Sequence, residues 1–184
     1  INNAGHVPQD CDQGRDADLT LTKVGAGVAG FDFTKFGNDG STLTIQDGTW
    51  AVGGSEAAGT RWSCVRDNVT GLVWEMKTEA NAGIHATNAK VKWADRNVLA
   101  DATNTEALCG IQTWRVPTVV ELATIVNANR LNPALDTNRF PNGAGSHWAS
   151  VPVAGDAANG WVVNFFAGIP ILKAKSASMA QRLV

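Results

Sequence analysis

The sequence predicts an α+β domain, and three observations carry the prediction. The first is a marked helix start within LCGIQTWRVPTVVELATIVNAN, Leu108 to Asn129. Cys109-Gly110 makes a turn, Trp114-Arg115 follows, and Pro117 breaks the extended run. Thr118 and Glu121 then have capping-box spacing, in which the hydroxyl takes the third helical amide and the carboxylate returns the bond. Val119, Leu122, Ala123 and Val126 follow at helical spacing and predict one apolar stripe. The second observation is the alternation of Phe31, Phe33 and Phe36 in FDFTKF, the pattern of a strand with one buried face. The third is WSCVRDNVTGLVWE, where a turn at Asp67-Asn68, closed by Thr70-Gly71, separates Trp62, Cys64 and Val65 from a partner strand at Leu72 to Trp74.

The remaining elements follow in order. Residues 1 to 30 are polar and Gly-rich and read as an N-terminal extension, with Leu19 and Leu21 as a short strand and Gly25 to Gly30 as a turn. The domain proper is residues 31–184. Asn38-Asp39-Gly40 is a turn, and Leu43, Ile45 and Trp50 predict a hairpin return onto the first strand. Gly53 to Gly59 reads as a flexible connection, and residues 76 to 88 as a polar loop holding His85. Asn88 to Ala100 is expected to be helical, since Val91, Trp93, Ala94 and Val98 lie near one face. The LNPALDTNRFPNGAGSHWAS segment is a long structured loop whose core plugs are Leu135 and Phe140. Trp148 to Val151 and Trp161 to Phe166 form a β-ribbon with Gly155 to Gly160 as its tip. IPILKAK continues extended, and Gln181 to Val184 makes a last strand.

Composition narrows the function classes. At 184 residues the chain is one domain, or one domain with an extension. A formal charge of −2 excludes bulk attraction to nucleic acid or to an anionic membrane. No apolar run reaches the roughly 20 residues of a membrane span. No signal sequence opens the chain, which is therefore expected to be a mature or trimmed product. Seven Trp, six Phe and no Tyr predict a loop-rich domain pinned by indoles, each needing a partner for its N–H. Three cysteines leave one over. Cys64 and Cys109 flank core elements and form the natural pair, with Cys11 free or bonded elsewhere. The alternative is three buried thiols in a reducing compartment.

Four pieces in this order resemble the Lcl C-terminal domain family of bacterial surface and secreted proteins. They are WSCVRDNVTGLVWEMK, LCGIQTWRVPTVVELATIV, NPALDTNRFPN followed by HWAS, and GWVVNFFAG with a closing RLV. QDCDQGRDAD resembles the upstream extension of some members. The resemblance implies a C-type-lectin-like fold, related also to the formylglycine-generating enzymes: two helices packed on a twisted antiparallel sheet with long ordered loops. It also implies export and a role at the cell surface, and, through a collagen-like adhesin of the family, binding to sulfated polysaccharide. Cys64 and Cys109 match the family's structural cysteines. Trp62, Trp74, Trp114, Trp148 and Trp161 fall at family-motif positions where burial is the expected use. GIPILKAKSASMAQ departs from the Tyr- and Ser-rich C-terminal loops of many members, so the exposed face is also suited to meeting another protein.

Catalytic constellations are not found. His6, His85 and His147 have no zinc spacing, and no G-x-S-x-G elbow is present. No cofactor is expected. Calcium has scattered oxygen donors in Asp67, Asn68, Asp136 and Asn138 but no EF-hand spacing, and turn formation uses the same residue types. Asn68-Val69-Thr70 fits a glycosylation acceptor but reads as a turn. Arg115 is expected to hold a carboxylate, with Glu75 and Glu121 as partners. Trp50 and Trp93 are the free aromatic candidates for stacking on a sugar. Lys173, Lys175 and Arg182 are the basic candidates for an anionic glycan, weak and salt-sensitive, or else one solvated strand face. The sequence therefore predicts an extracellular, non-enzymatic, adhesin-like binding module for a glycan or a protein surface. The alternative is a self-associating subunit or tip of a surface filament. An enzyme of the same fold would need a metal or thiol constellation that is not found.

Overall fold

The computed structural model describes residues 22–27 and 30–184. The expected strand at Leu19 and Leu21, and Cys11, lie outside the described residues. Strands β1 (Phe33–Phe36), β2 (Cys64–Asp67) and β3 (Val73–Glu75) form an antiparallel three-stranded sheet in the order β1-β2-β3. Phe33, Val65 and Trp74 are fully buried, and Phe33 meets Phe140 edge-on at 5.3 Å. The β2–β3 turn is closed by Asp67, whose carboxylate accepts from the Val69 amide and the Thr70 hydroxyl at 2.9 and 2.7 Å.

The expected hairpin return at Leu43–Trp50 does not form. Only one bridge, Phe36 to Thr42, continues the pairing, and β2 takes the other edge of β1. The side-chain amide of Gln46 stands in for a strand: Lys35 N–H donates to its Oε1 at 2.8 Å, and its Nε2 donates to the Lys35 carbonyl at 3.0 Å. The Lys35 carbonyl also accepts from the Leu43 amide at 3.0 Å, so the amide side chain is needed for the Lys35 N–H, which sequence periodicity cannot reveal. The Gly53–Gly59 connection is tied by its own bonds: Ala51 N–H donates to Thr60, and Thr60 N–H to Ser55.

The first helix is displaced from its expected place. Asn88–Ala100 contains β4 (Lys90–Val91), a single 3-10 turn at Trp93–Asp95, and only the start of α1 (Val98–Glu106). Tertiary pairing overrides the helical pattern here. Lys90 pairs with Ala180, the Trp93 amide donates to Lys175, and the Trp93 ring meets Trp148 edge-on at 5.3 Å. Helix α1 buries Leu99, Ala100 and Thr103, and ends at Ala107 in the left-handed region (φ 53°). Its Asn104 repeats the Gln46 device, bonding both the amide and the carbonyl of Trp114 at 2.6 and 3.0 Å.

Helix α2 (Val119–Thr124) starts where the capping box places it, with both reciprocal bonds formed. It is short. Within it Ala123 is exposed rather than part of the buried stripe, and just past its end Ile125 is buried in the same cluster as Leu122. Leu135 and Phe140 are both fully buried, as their loop pattern predicts.

The second sheet has the order β4-β8-β5-β6-β7, with β5 (Ser146–Val153), β6 (Asp156–Asn164), β7 (Ile169–Ala174) and β8 (Met179–Ala180). The ribbon tip is shorter than expected. Its turn is Ala154–Gly155, and Asp156 to Gly160 belong to β6. Gly160 marks a close approach rather than a turn: a Cβ there would lie 2.6 Å from the Trp93 ring. The expected last strand lies earlier, at Met179–Ala180. Beyond it, Leu183 accepts from the Glu75 amide, and Val184 exchanges bonds with Arg115, so the C-terminal segment joins the two halves. No helix among the described residues is long and apolar enough to cross a membrane.

Cys64 of β2 is bonded to Cys109, 45 residues along the chain. The Asn38–Gly40 turn packs against it: Gly40 has φ 82°, and a Cβ there would lie 2.5 Å from the Cys109 carbonyl. Replacing both cysteines with alanine is expected to lower unfolding free energy by about 3–4 kcal/mol, read from urea denaturation, because the open chain regains loop entropy. Gln46→Ala is expected to cost about 1–3 kcal/mol in the same assay, since the Lys35 N–H loses its acceptor while the carbonyl keeps the Leu43 amide.

Candidate functional site

Glu75 closes β3 and is the charged centre of the interior, only 1% exposed. Its Oε1 accepts from Lys77 Nζ at 2.9 Å and faces His85 Nδ1 at 2.7 Å, and its Oε2 accepts from the Leu183 amide at 2.9 Å. Arg182 donates to the Glu75 carbonyl at 2.7 Å and sets its guanidinium 5.0 Å from the Phe140 ring. His85 reaches outward with Nε2 to Glu106 of α1 at 3.0 Å. With a carboxylate at each nitrogen, the ring is placed to donate from both.

These contacts set the charges. Burial pushes the Glu75 carboxyl up, but Lys77 and His85 override it and hold it at about 2. Burial pushes His85 down, yet Glu75 and Glu106 together raise it above its ordinary value. Burial, reinforced by Arg182 and Lys77, takes His147 well below its usual range, so this imidazole is neutral. Every oxygen of the Glu75 carboxylate and both nitrogens of His85 are engaged within the protein. The cluster fixes structure and offers no idle base.

The segment between Met76 and Lys90 carries this cluster and then supplies a groove of about 350 Å³. Lys90 of β4 and Lys173 of β7 line it together with the hydroxyls of Thr87, Ser146 and Ser178 and the Ala144–Gly145 backbone. No Asp or Glu is among the described residues lining it. Neither lysine takes part in an ion pair with a described residue, whereas Arg61, Lys77 and Arg115 each do. A groove of cations, hydroxyls and backbone is suited to an anion bearing several acceptor oxygens.

The basic and aromatic candidates read from the sequence separate in the fold. Lys173 lines the groove. Lys175 is occupied, donating to the Ala157 carbonyl at 3.0 Å with its ammonium 5.5 Å from the Trp93 ring. Arg182 is fully buried and not a surface cation, because the Glu75 cluster and Phe140 claim it. Trp93 is 8% exposed and not a free platform, since it packs on Trp148. Trp50 is half-buried, bonded through Nε1 to Glu79 at 2.8 Å, and lines a different cleft. Trp62, Trp74, Trp114 and Trp148 are buried, and Trp161 partly so. Arg115 pairs with Glu121 rather than Glu75.

Lys90 was not among the sequence candidates, because the groove is assembled from β4, β7, the 144–146 turn and the approach to β8, which are remote in sequence. Glu75 and Lys77 carried a readable signal: opposite charges two apart on an extended segment share one face. The two Asp carboxylates considered for calcium are turned onto local partners, and the Asn68 side-chain nitrogen is donated to others. Asp67 caps its own turn, Asp136 accepts from the Asn138 amide at 3.0 Å, and Asn68 bonds Asp32 and Thr34. Among the described residues, no group of three or more His, Cys, Asp or Glu is placed to hold a metal ion.

The model of a family described as the Lcl C-terminal domain matches residues 63–184, well over half of the chain. No curated protein matches it.

Glu75→Gln is expected to cost about 3–5 kcal/mol by urea denaturation, since it strands the buried Lys77 ammonium without its carboxylate. The pH dependence follows from the same shifts. Glu75 titrates lower folded than unfolded, so its stabilisation is full above the ordinary value of 4.5 and is lost as pH falls from there to about 2. His85 titrates higher folded, so its contribution is full below 6.5 and is lost as pH rises through its folded value. His85→Gln is expected to remove the second dependence and leave the acid limb in place.

Proposed function

Because the chain belongs to the Lcl C-terminal domain family, we propose that it is an extracellular, non-enzymatic binding module of the adhesin kind. Its ligand is an anionic glycan, of sulfated polysaccharide chemistry, held in the groove of Lys90 and Lys173. The observation that carries this reading is the local reversal of charge. The chain as a whole is at −2, yet this groove presents two lysines without an ion-pair partner, three hydroxyls and no carboxylate. The C-type-lectin-like arrangement belongs to the same reading, and an α+β fold that brings Lys90 of β4 and Lys173 of β7 to one groove fits it. Two cations, Lys90 exposed and Lys173 partly buried, give modest affinity per site, so useful attachment comes from many sulfates on one polymer meeting many copies of the module.

The alternative, a filament subunit, is favoured by one feature. Strand β7 is an edge of its sheet, and Ile169 and Leu172 on it, with Phe166 before it, are about half exposed. An unpaired edge with apolar side chains is a template for a neighbour. A filament subunit would sediment as a concentration-dependent polymer without any glycan.

The test is binding of the chain to heparin-type polysaccharide and to its desulfated counterpart, at low and physiological salt. Sulfated polymer is expected to bind and desulfated polymer to fail. Replacing Lys90 and Lys173 together with alanine is expected to weaken binding at least about tenfold, the value of one lost charge-assisted bond. Equal binding of both polymers, or an unaffected double variant, would overturn the reading.

A further inference from the structure

The larger sheet ends at β7, and among the described residues no strand pairs with its outer side. One bond settles which backbone groups face outward. The Lys175 amide donates to the Ala158 carbonyl at 2.8 Å, so position 175 turns its backbone toward β6. Antiparallel alternation then points 173, 171 and 169 at β6, and 174, 172 and 170 away from it. Pro170 has no N–H to give and falls on the outward side, where an edge strand tolerates it. The Ala174 carbonyl is already used, accepting from the Ala177 amide at 2.9 Å. Four outward groups are left for a partner: the amides of Leu172 and Ala174 and the carbonyls of Pro170 and Leu172.

Those four groups complement themselves. When β7 is laid antiparallel on a second β7 with Leu172 opposite Leu172, the two leucines exchange both of their bonds. Each Ala174 amide then donates to the Pro170 carbonyl of the other copy. Pro170 can return no bond, and the Ala174 carbonyl opposite it needs none. The side chains agree with this register. Leu172, 43% exposed, meets its own counterpart on one face. On the other face Lys173 lies opposite Ile171 and Lys175 opposite Ile169, so apolar groups run along lysine stems. A shift of one residue would set Lys173 directly on Lys173, and like charges directly opposite are destabilising. A foreign strand would have to reproduce both the missing donor and this order of charge.

We propose that the chain forms a closed two-fold dimer by antiparallel pairing of β7 with β7 of a second copy, centred on Leu172. The contact uses the same patch on both copies, so it ends at two and does not propagate into a filament. A strand pairing of this length buries less than roughly 1,200 Å² in total, so the dimer is transient, with a dissociation constant on the order of 100 μM. The pairing does not depend on the ligand reading, but it bears on the groove. The two Lys173 residues become diagonal neighbours about 7–8 Å apart on one face, joining two grooves into one cationic tract. This last step alone rests on the groove reading.

The test is sedimentation equilibrium of the whole chain from micromolar to millimolar concentration, without polysaccharide. A monomer–dimer equilibrium is expected. Leu172→Lys and Leu172→Glu are each expected to weaken it about tenfold or more, because like charges then meet on the two-fold axis. Mixed in equal amounts, these two variants are expected to pair again, since position 172 meets itself. Ala174→Pro removes two of the four bonds between copies and is expected to weaken the dimer about tenfold, with the unfolding midpoint close to the parent's. A monomer throughout, growth beyond two copies, a dimer indifferent to charge at 172, or failure of the mixed variants to associate would overturn the proposal. Adding a short sulfated oligosaccharide is expected to tighten the dimer at least about fivefold, as a ligand that binds the paired state better must. A dimer that forms but does not tighten would overturn the joined tract and count against the groove, not against the pairing.

Discussion

The buried carboxylate of Glu75 is the constraint on which the rest of the structure depends. It sits at the end of one sheet, accepts from the Leu183 amide of the C-terminal segment, and holds Lys77 and His85 of the following segment. Three parts of the chain more than 100 residues apart at their extremes meet at one carboxyl group. A buried ion cluster is weak evidence for net stability, since desolvation offsets most of the Coulomb attraction. Its use here is specification. A hydrophobic substitute could bury the same volume, but it would not fix which backbone carbonyl Arg182 meets or which way His85 points. The direction of His85 then sets where Glu106 and the end of α1 lie, and so shapes the cleft wall.

The second organising device is the use of side chains in place of backbone partners. Gln46 completes the edge of β1, and Asn104 completes the backbone at Trp114. Asp32 accepts from the Val24 and Gly25 amides, and Asp67 and Asp136 close their own turns. A loop-rich domain must satisfy many backbone groups that no ladder reaches. Here amides and carboxylates do this one residue at a time, and the disulfide and the indoles anchor the loops so formed. Trp62, Trp114 and Trp148 each send the ring N–H to a backbone carbonyl, of Arg139, Leu108 and Val91 respectively.

That device also decides what could be read in advance. The capping box of α2, the β2–β3 hairpin, the Cys64–Cys109 pair, the buried indoles and the Leu135 and Phe140 plugs are local or strongly apolar signals, and each stands in the fold. The first helix was misplaced because Trp93 looks like one member of a helical stripe, while its partners Trp148 and Lys175 are more than 50 residues away. The return strand at Leu43–Trp50 was misread because a glutamine does the work of a strand. Arg182 looked like a surface cation because three basic residues cluster near the C-terminus, and nothing local says that a glutamate at position 75 accounts for one of them. The groove was half legible through Lys173, while Lys90 joins it only through the pairing of β4 with β8.

The two cavities differ in a way that follows from how their charges were spent. Around the cleft lined by Trp50, Arg61 and His85, each basic residue has a carboxylate within bonding distance, so no unpaired cation is left for a ligand. Among the described residues lining the groove there is no carboxylate, so Lys90 and Lys173 have no ion-pair partner there and remain available to a ligand. Both cavities border one short segment, whose position is fixed by Lys77 and His85 on Glu75. Residues that bind nothing thereby set the chemistry of both openings. A substitution at Glu75 should therefore disturb the cleft and the groove together, whereas one at Lys90, which lines the groove alone, should reach only the groove.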